Sequence, residues 1–258
     1  MKNYFDLTGK IAVVTGASSG LGAAAALAYA EAGADVALLA RRLEKLEAVK
    51  TEIEKTGRRV LAVKCDVTDE QSVKNAMETV TAAFGKIDVL LNNAGIALHG
   101  GVDDMTEEDW DKSFNTNVKG AFFASKYVIP GMKERGYGKI VNVASVNAIV
   151  ADKSEIFIRH SYNASKAAVL GLTTGMAASY AQFGITVNAV GPALFKTEMT
   201  ADKLFASEEF MNYYCYTNPS SRAGNEGEMN GAILFLSTDA SSYVQGQFII
   251  VDGGASIV

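Results

Sequence analysis

The chain has few of the residues on which metal and redox sites are usually built. Its 258 residues include two cysteines, Cys65 and Cys215, and two histidines, His99 and His160. None of the four stands in a metal-binding or redox spacing. We therefore expect no metal site, and we expect both thiols to be reduced and either buried or neutral.

Basic charge and long apolar runs are also scarce. The formal net charge is −5, and without a basic stripe to neutralise phosphates a nucleic-acid partner is not expected. No apolar run reaches the roughly 18 residues of a membrane span. The first ten residues, "MKNYFDLTGK", lack the apolar centre of a secretory signal. These absences predict a cytoplasmic protein that binds neither nucleic acid nor membrane.

Short apolar runs alternate with longer helical patterns along the whole chain, and no linker or low-complexity segment interrupts them. The runs include "KIAVVTG", "DVALLA" and "DVLLNNAG". Most are almost continuously apolar, as in strands that are buried on both faces of a parallel sheet. We expect residues 1–258 to form one doubly wound α/β domain with helices on both faces of the sheet.

Two segments break this alternation, residues 147–160 and residues 193–224. Both follow predicted strands, and open α/β sheets bind ligands at the carboxyl ends of their strands. The second segment carries five aromatic residues between Phe205 and Tyr216. It is either a lid over a substrate or a pair of helices packed on a partner subunit, and the sequence leaves both readings open.

A glycine-rich turn, "VVTGASSGLG", follows the first predicted strand and opens a helix. Glycine lets the backbone approach a pyrophosphate, and the start of a helix offers N–H groups to an anion. The glycine spacing is G-x3-G-x-G. We therefore predict that this turn binds a nucleotide through Gly16, Ser18, Ser19, Gly20, Leu21 and Gly22.

The end of the second predicted strand indicates which dinucleotide is bound. An acidic residue here would bind the adenosine ribose, but the chain has Ala40 followed by Arg41 and Arg42. A guanidinium can hold a 2′-phosphate. The pattern predicts NADP(H) in preference to NAD(H), with NAD(H) still possible; the alternative is that both arginines are merely the solvated start of a helix.

Two further strand ends supply candidate cofactor contacts. Asp66, in "CDVTD", could bind an adenine amino group, and the "NNAG" turn could support the cofactor or simply be a tight turn. From these turns we assign to the cofactor Asp66, Val67, Asn93, Ala94 and Gly95.

The stretch "SYNASKAAV" places Tyr162 and Lys166 one helical turn apart. An ammonium beside a phenol favours the phenolate, so Lys166 is expected to lower the pKa of Tyr162. A tyrosine of this kind could exchange protons near neutral pH. Taken alone, the spacing favours an ordinary surface pair.

These motifs together resemble the short-chain dehydrogenase/reductase family over essentially the whole chain. The resemblance rests on "TGASSGLG", "NNAG", "NTNVKG", "GKIVNVAS", "YNASK" and "GQFIIVDGG", in this order. It implies a Rossmann-like sheet of seven parallel strands, a nicotinamide cofactor, and a catalytic tetrad formed by Asn117, Ser145, Tyr162 and Lys166.

The resemblance also implies a role for each member of the tetrad. Tyr162 would exchange a proton with the reacting oxygen, and Ser145 would hydrogen-bond that oxygen. Lys166 would hold the nicotinamide ribose, and Asn117 would hold a water linking Lys166 to solvent.

Further cofactor contacts follow from the resemblance: Val118 would border the cofactor, and Pro192, Phe195 and Thr197 would meet the nicotinamide or a phosphate. The family usually has glycine where this chain has Ala193, which restricts the backbone if φ is positive there. Members of the family are commonly tetramers, so a homotetramer is expected.

The substrate is expected to be a small alcohol or ketone, and the sequence favours a sugar acid or polyol. Several stretches are similar to gluconate 5-dehydrogenase-like and polyol reductase members, and Arg159 and His160 could meet a carboxylate or hydroxyls. The aromatic residues of 193–224 favour a steroid instead.

Two other functions stay open. A 3-oxoacyl-[acyl-carrier-protein] reductase would usually carry Arg and Glu where this chain has Ala178 and Ser179, although Arg135 could serve as a second docking residue. A nicotinamide-binding regulator without catalysis would be expected to have lost members of the tetrad, and all four are present.

Overall fold

The computed structural model describes residues 3–151, 155 and 158–258. Part of the segment 147–160, namely residues 152–154 and 156–157, lies outside the described residues. Within the described residues the main strands are β1 (Ile11–Thr15), β2 (Asp35–Ala40), β3 (Val60–Lys64), β4 (Val89–Asn92), β5 (Gly138–Val143), β6 (Ile185–Pro192) and β7 (Phe248–Val251).

Eight α-helices alternate with these strands in the described part of the chain. They are α1 (Gly20–Glu31), α2 (Leu43–Glu54), α3 (Glu70–Phe84), α4 (Glu107–Phe114), α5 (Gly120–Arg135), α6 (His160–Tyr180), α7 (Glu208–Thr217) and α8 (Asn230–Ser237). A π-helical turn, Asn115–Lys119, joins α4 to α5, and a second, Ala201–Phe205, precedes α7.

The strands form one parallel sheet in the order β3-β2-β1-β4-β5-β6-β7. The predicted Rossmann-like, doubly wound sheet of seven strands is thus confirmed. One apolar cluster packs α1, α2 and α8 on the first face, and another packs α3, α5 and α6 on the second. Because both faces are covered, the central strands are mostly apolar, and all five residues of β1 are buried.

Local signals place the helix ends. Asp69 precedes α3 and its carboxylate accepts a hydrogen bond from the Gln71 N–H at 3.0 Å. Gly85, at φ 83°, ends the same helix in the left-handed conformation that glycine adopts without strain. The helix therefore begins and ends where its residue types predict.

The chain reverses its direction of winding between β1 and β4, which are neighbours in the sheet. A crevice forms outside the carboxyl ends of the strands at such a switch point. The segments that follow β1, β4, β5 and β6 all leave the sheet at this edge, and they carry most of the residues singled out from the sequence.

The remaining expectations about composition concern metals, thiols and membranes. Within residues 3–151, 155 and 158–258, no three His, Cys, Asp or Glu side chains are placed to hold a metal ion. In the same part of the chain, no helix is long and apolar enough to cross a membrane. Both cysteines are free; Cys65 is buried, and burial raises the pKa of its thiol to about 11.

Candidate active site

The glycine turn after β1 is shaped by close packing against the turn after β4. A β-carbon on Gly22 would lie 2.4 Å from Asn93 Nδ2 and 2.5 Å from the Gly16 carbonyl oxygen. Asn93 Nδ2 donates to the Thr15 and Gly16 carbonyl oxygens at 3.0 and 3.1 Å. Gly22 therefore permits the β1 and β4 turns to meet, and the Asn93 amide holds them together.

The first turn of α1 is suited to an anion. Ser19 occupies the N-cap position, but its side chain makes no capping hydrogen bond to the helix. Gly20, at φ 55°, has no side chain to cover the turn, and its absent β-carbon would lie 3.1 Å from Thr197 Cγ2. A cradle of this kind, with backbone N–H groups at a helix start, fits a pyrophosphate.

The two arginines after β2 lie beside this turn but differ in their contacts. Arg42 Nη2 donates to Ser18 Oγ at 3.1 Å and forms an ion pair with Glu198 at 2.7 Å. Arg41 is exposed at the rim of the same cavity. The Arg42 guanidinium is therefore directed toward the glycine turn, and the binding of a 2′-phosphate by the two arginines stays a prediction.

Asp66 and Val67 line the adjacent wall of the cavity. The Asp66 carboxylate accepts hydrogen bonds from the Thr68 N–H at 2.9 Å and from Thr68 Oγ1 at 2.8 Å. The γ-carbon of Val67 would lie 2.9 Å from a β-carbon on Gly120. A tight turn therefore fixes Asp66 at the end of β3.

Three members of the predicted tetrad meet at the carboxyl ends of β4 and β5. Tyr162 and Lys166 lie on α6, and Ser145 follows β5. The Ser145 hydroxyl lies near enough to the Tyr162 phenol to lower its pKa. Lys166 Nζ donates to the Val143 carbonyl oxygen at 2.7 Å and lies 5.7 Å from the centroid of the Tyr162 ring.

The prediction that Lys166 lowers the pKa of Tyr162 is wrong, because the pKa of this tyrosine is raised. Burial raises the pKa of Tyr162, and the groups that lower it are the Ser145 hydroxyl and the Arg159 guanidinium. Burial also lowers the pKa of Lys166 to about 8. The sequence showed that the two side chains share a face, but not that both are enclosed, and enclosure opposes the charged form of each.

Asn117 lies beneath the other three residues, on the π-helical turn between α4 and α5. Its Oδ1 accepts from the Ile96 N–H at 2.8 Å, and its Nδ2 donates to the Ile96 carbonyl and to Ser165 Oγ, each at 2.9 Å. The side chain thereby joins the turn after β4 to α6. π-Helical turns often occur at functional sites, and the predicted water at Asn117 stays a prediction.

The segment after β6 approaches the same cavity. Ala193 is not in the left-handed region, since Ser221 is the one non-glycine residue with positive φ in the described part of the chain. The β-carbon at position 193 therefore causes no backbone strain. The Phe195 carbonyl accepts from Thr200 Oγ1 at 2.6 Å, and Thr197 Oγ1 lies 3.1 Å from the same hydroxyl.

A cavity of about 1240 Å³ connects all of these elements. It runs from the glycine turn past Ser145, Tyr162 and Lys166 to the segment after β6. Of the residues predicted as catalytic or cofactor-binding, two do not line it, Asn117 and Val118. Val118 packs against Ala144, Val169 and Ala189, and its predicted place at the border of the cofactor stays a prediction.

Of the two residues predicted to meet a polar substrate, one lines the cavity and the other does not. Arg159 lines the cavity, and its Cζ lies 5.6 Å from the centroid of the Tyr162 ring. His160 is exposed, does not line the cavity, and its Nδ1 accepts from the Val102 N–H at 3.1 Å. Neighbours in the sequence therefore face different surroundings, because α6 begins at His160.

Glu198 and Lys45 were missed by the sequence reasoning. Glu198 lies at the edge of the cavity and interacts with both Arg42 and Lys45. Arg42 and Glu198 are separated by 156 residues. No spacing or composition signal connects them, since Glu198 reaches Arg42 only because the segment after β6 leaves the sheet at the same edge as the segment after β2.

The glycine turn, the arginine-lined rim and the buried lysine fit one class of cofactor. Lys166 is nearly fully buried, and within the described residues Val143 supplies its one hydrogen-bond acceptor. An ammonium has three donors, so two are available to the hydroxyls of a ribose. Together with the Rossmann-like sheet, these features define a nicotinamide-dinucleotide-dependent oxidoreductase.

Comparison with known proteins gives the family. The short chain dehydrogenase family matches residues 10–207, and the chain belongs to this family, whose members are oxidoreductases acting on alcohols and ketones. Gluconate 5-dehydrogenase of Gluconobacter oxydans is 39% identical over 255 residues, which cover 99% of this chain and 98% of that protein. The 3-oxoacyl-[acyl-carrier-protein] reductase of Thermotoga maritima is 40% identical over 251 residues, covering 97% and 99%.

Comparison with solved structures agrees with this family membership. The crystal structure of a gluconate 5-dehydrogenase from Burkholderia cenocepacia, in complex with NADP and tartrate, is 34% identical and has a TM-score of 0.93, covering 99% of this chain and 98% of that one. The bound dinucleotide in that relative agrees with the cofactor class that the sequence and the cavity indicate.

Proposed function

We propose that this chain is an NADP(H)-dependent oxidoreductase that interconverts a secondary alcohol and a ketone, with a sugar acid or polyol as substrate. The observation that carries the proposal is one continuous cavity lined by the anion cradle of α1, by the Ser145 and Tyr162 side chains and by the buried Lys166. A nicotinamide bound there would supply the hydride.

Tyr162 is the proton donor in the reduction direction. Because burial raises its pKa, the phenol is protonated at neutral pH, as a general acid must be. The Ser145 hydroxyl is placed to hydrogen-bond the same substrate oxygen and to stabilise the charge that develops on it. Alcohol oxidation requires the phenolate, so we expect oxidation to be fastest at a higher pH than reduction.

The preference for NADP(H) rests on the residues after β2. Ala40 offers no carboxylate to a ribose hydroxyl, while Arg41 lies at the rim of the cavity and Arg42 hydrogen-bonds to Ser18 in the glycine turn. Guanidinium groups bind phosphate oxygens in geometries that a ribose hydroxyl does not use. The relative from Burkholderia cenocepacia, which was crystallised with NADP, supports the same choice.

Arg159 supports an acidic sugar as the substrate. Its guanidinium is 5.6 Å from the Tyr162 ring and lines the cavity, so it is placed to hold a carboxylate while the reacting carbon lies near the phenol. Burial lowers the pKa of Arg159, yet a guanidinium remains charged at neutral pH. Gluconate 5-dehydrogenase of Gluconobacter oxydans and the tartrate-bound relative are consistent with an acidic polyhydroxyl compound.

The steroid alternative has less support than the sequence suggested. Of the aromatic residues in 193–224, Phe210 is buried with Leu194 and Leu204 in a cluster of its own. The cavity is instead lined by Tyr213 and Tyr214, and the Tyr214 hydroxyl accepts from Asn218 Nδ2 at 3.1 Å. Three of the five aromatic residues that favoured a steroid, Phe205, Phe210 and Tyr216, therefore do not line the cavity, although Leu194 and Leu204 do.

An acyl-carrier reductase is favoured by the relative from Thermotoga maritima but not by the surface of this chain. Ala178 and Ser179 are exposed on α6 and offer no charge to an acidic carrier. The Arg135 guanidinium donates to the Ile87 carbonyl, so it is held against the body of the protein. The proposed docking patch therefore lacks one of its two basic residues, and the other, Arg135, is exposed but tied to a backbone carbonyl.

We also propose that the enzyme is a cytoplasmic homotetramer whose residues 193–224 cover the substrate. Large apolar side chains that remain exposed on the single chain, among them Phe122 of α5 and Ile257 near the last residue, suit subunit contacts. The mass of the particle in solution tests the assembly.

The function is tested by a cofactor-coupled screen of sugar acids, polyols, steroids and acetoacetyl thioesters with NADP(H) and NAD(H). Turnover of a sugar acid or polyol is expected. Turnover of a steroid alone, or of a thioester alone, would contradict the substrate assignment.

Two variants test the assigned residues. Tyr162→Phe should lower kcat by about 10²- to 10⁴-fold while NADP+ still binds, and Tyr243→Phe, at an exposed tyrosine, is the control. Arg159→Leu should raise KM for the sugar acid more than for a neutral polyol. Equal loss of cofactor binding in Tyr162→Phe would show a structural tyrosine and leave open a nicotinamide-binding regulator without catalysis.

A further inference from the structure

Glu198 reaches from the segment after β6 to the corner of the cavity beside the glycine turn. Its Oε2 accepts from Arg42 Nη2 at 2.7 Å and from Ser19 Oγ at 3.1 Å, and its Oε1 accepts from Lys45 Nζ. Both carboxylate oxygens are thus held, by two cations and one hydroxyl. These contacts keep the pKa of Glu198 at about 2, through Lys45 first and then Arg42.

Two of the three donors that hold Glu198, Arg42 and Ser19, belong to the residues assigned to the dinucleotide. Arg42 and Ser19 come from the end of β2 and the start of α1, and Arg42 also donates to Ser18 at 3.1 Å. An adenosine 2′-phosphate is an anion whose oxygens need the same kind of donors. A carboxylate and a phosphate cannot both occupy the same guanidinium, ammonium and hydroxyl positions.

The position of Glu198 links this corner to the segment 193–224. Thr197, the preceding residue, lies against Gly20, where a β-carbon would be 3.1 Å from Thr197 Cγ2. The segment therefore starts on top of the glycine turn, and Glu198 fastens it there. Within the described residues, the contacts of the Glu198 carboxylate with the cavity rim all go to Arg42, Lys45 and Ser19.

We propose that Glu198 is a cofactor-specificity residue that occupies the cation site of the 2′-phosphate and that NADP(H) must displace. NAD(H), which has no 2′-phosphate, leaves Glu198 in place. The inference rests on the proposed function, since it concerns the same cofactor site. Displacement also releases the beginning of the segment 193–224 from the glycine turn, so the cofactor phosphate and the substrate cover are coupled through one side chain.

The competition is expected to be modest. The side chains of Arg42, Lys45 and Glu198 are between 41% and 47% exposed to solvent. Ion pairs with this much exposure are weak. Removing the carboxylate should therefore tighten the binding of a 2′-phosphate about two- to fivefold. Ligands without that phosphate should bind as before.

The test compares dissociation constants for NADP+ and NAD+, and for adenosine 2′,5′-bisphosphate and adenosine 5′-monophosphate, by titration calorimetry. Glu198→Gln should tighten the two ligands that carry the 2′-phosphate and leave the other two unchanged. Glu209→Gln is the matched control, because it removes one exposed carboxylate from the same segment without touching the rim. Weaker or unchanged binding of NADP+ by Glu198→Gln, or equal tightening of NAD+, would overturn the proposal.

Hydrogen exchange of the unaltered protein gives a second test that needs no variant. Adenosine 2′,5′-bisphosphate should speed amide exchange over residues 197–206 relative to adenosine 5′-monophosphate, because the fastening at Glu198 is lost. Unchanged or slower exchange there would refute the displacement.

These binding measurements use no substrate, so they are independent of the substrate screen. A protein that binds both dinucleotides but turns over no sugar acid or polyol would contradict the proposed substrate and leave the role of Glu198 standing. If the 2′-phosphate adds nothing to affinity in either the unaltered protein or Glu198→Gln, the role of Glu198 is refuted. An NAD(H)-dependent oxidoreductase would still be consistent with that result.

Discussion

Replacing Lys166 with methionine should make the protein more stable at neutral pH while it abolishes turnover. Lys166 is 4% exposed, and burial lowers its pKa from 10.5 to about 8. Each tenfold change in proton affinity is about 1.4 kcal/mol. The buried ammonium therefore lowers the free energy of unfolding by about 3 kcal/mol relative to a neutral group at this position.

The net gain is smaller because the variant loses one contact. Lys166 Nζ donates to the Val143 carbonyl oxygen at 2.7 Å, and a buried carbonyl without its partner costs about 1 kcal/mol. The expected net increase in the free energy of unfolding is about 2 kcal/mol at neutral pH. Methionine is flexible and apolar, so it suits the space that the lysine stem occupies.

The sign of the pH dependence follows from the lowered pKa. Below pH 8 Lys166 is protonated in both the folded and unfolded states, and the full cost of burying the charge is present. Between pH 8 and 10.5 the unfolded state binds more protons, so the stability of the unaltered protein rises with pH. Methionine does not titrate, so the advantage of the variant should disappear toward the upper end of this range.

Urea unfolding of both proteins at neutral pH and near the upper end of that range, at one protomer concentration, measures this difference. Other titrating groups are shared by the two proteins and cancel. Lys112→Met, at an exposed lysine, is the control and should change the free energy of unfolding by less than about 0.5 kcal/mol. A variant that is less stable at neutral pH, or a difference that does not change with pH, would refute the reasoning.

Two further predictions concern the glycine turn and the reacting oxygen. Gly22→Ala should lower the free energy of unfolding by about 2–4 kcal/mol in a urea titration, because the new methyl group meets Asn93 and breaks its hydrogen bonds. Gly171→Ala, in a helix with open space around that position, should instead raise the free energy of unfolding by about 0.5–1 kcal/mol. Similar effects of the two changes would contradict the packing argument. Ser145→Ala should lower kcat by about 10²-fold with the NADP+ dissociation constant unchanged. Steady-state rates measure the first quantity and a binding titration the second. A weaker binding of NADP+ by the variant would contradict a purely catalytic role for Ser145.

Much of the fold could be predicted because its signals are local. Apolar runs of the length of a strand, such as "DVALLA", alternate with helical patterns, and Asp69 and Gly85 mark the ends of α3 by their own backbone preferences. The fold follows from these patterns because strands joined by helical crossovers in a right-handed sense have few ways to pack.

The site was predictable only where residues lie close together in the sequence. The glycine turn and the Tyr162–Lys166 spacing are local, and the resemblance to a family added Ser145 and Asn117. Arg159 and His160 show the limit of this reasoning, because adjacent residues were assigned together and the start of α6 separates them.

The sequence by itself determined the sheet, the anion-binding turn and the pairing of a phenol with an ammonium, since each depends on periodicity or on spacing within one element. Only the tertiary structure decided that both members of that pair are enclosed, and that a carboxylate 156 residues from Arg42 lies on its guanidinium. Enclosure and long-range contact arise when separate elements pack at the carboxyl edge of the sheet, and no stretch of the chain carries that information alone.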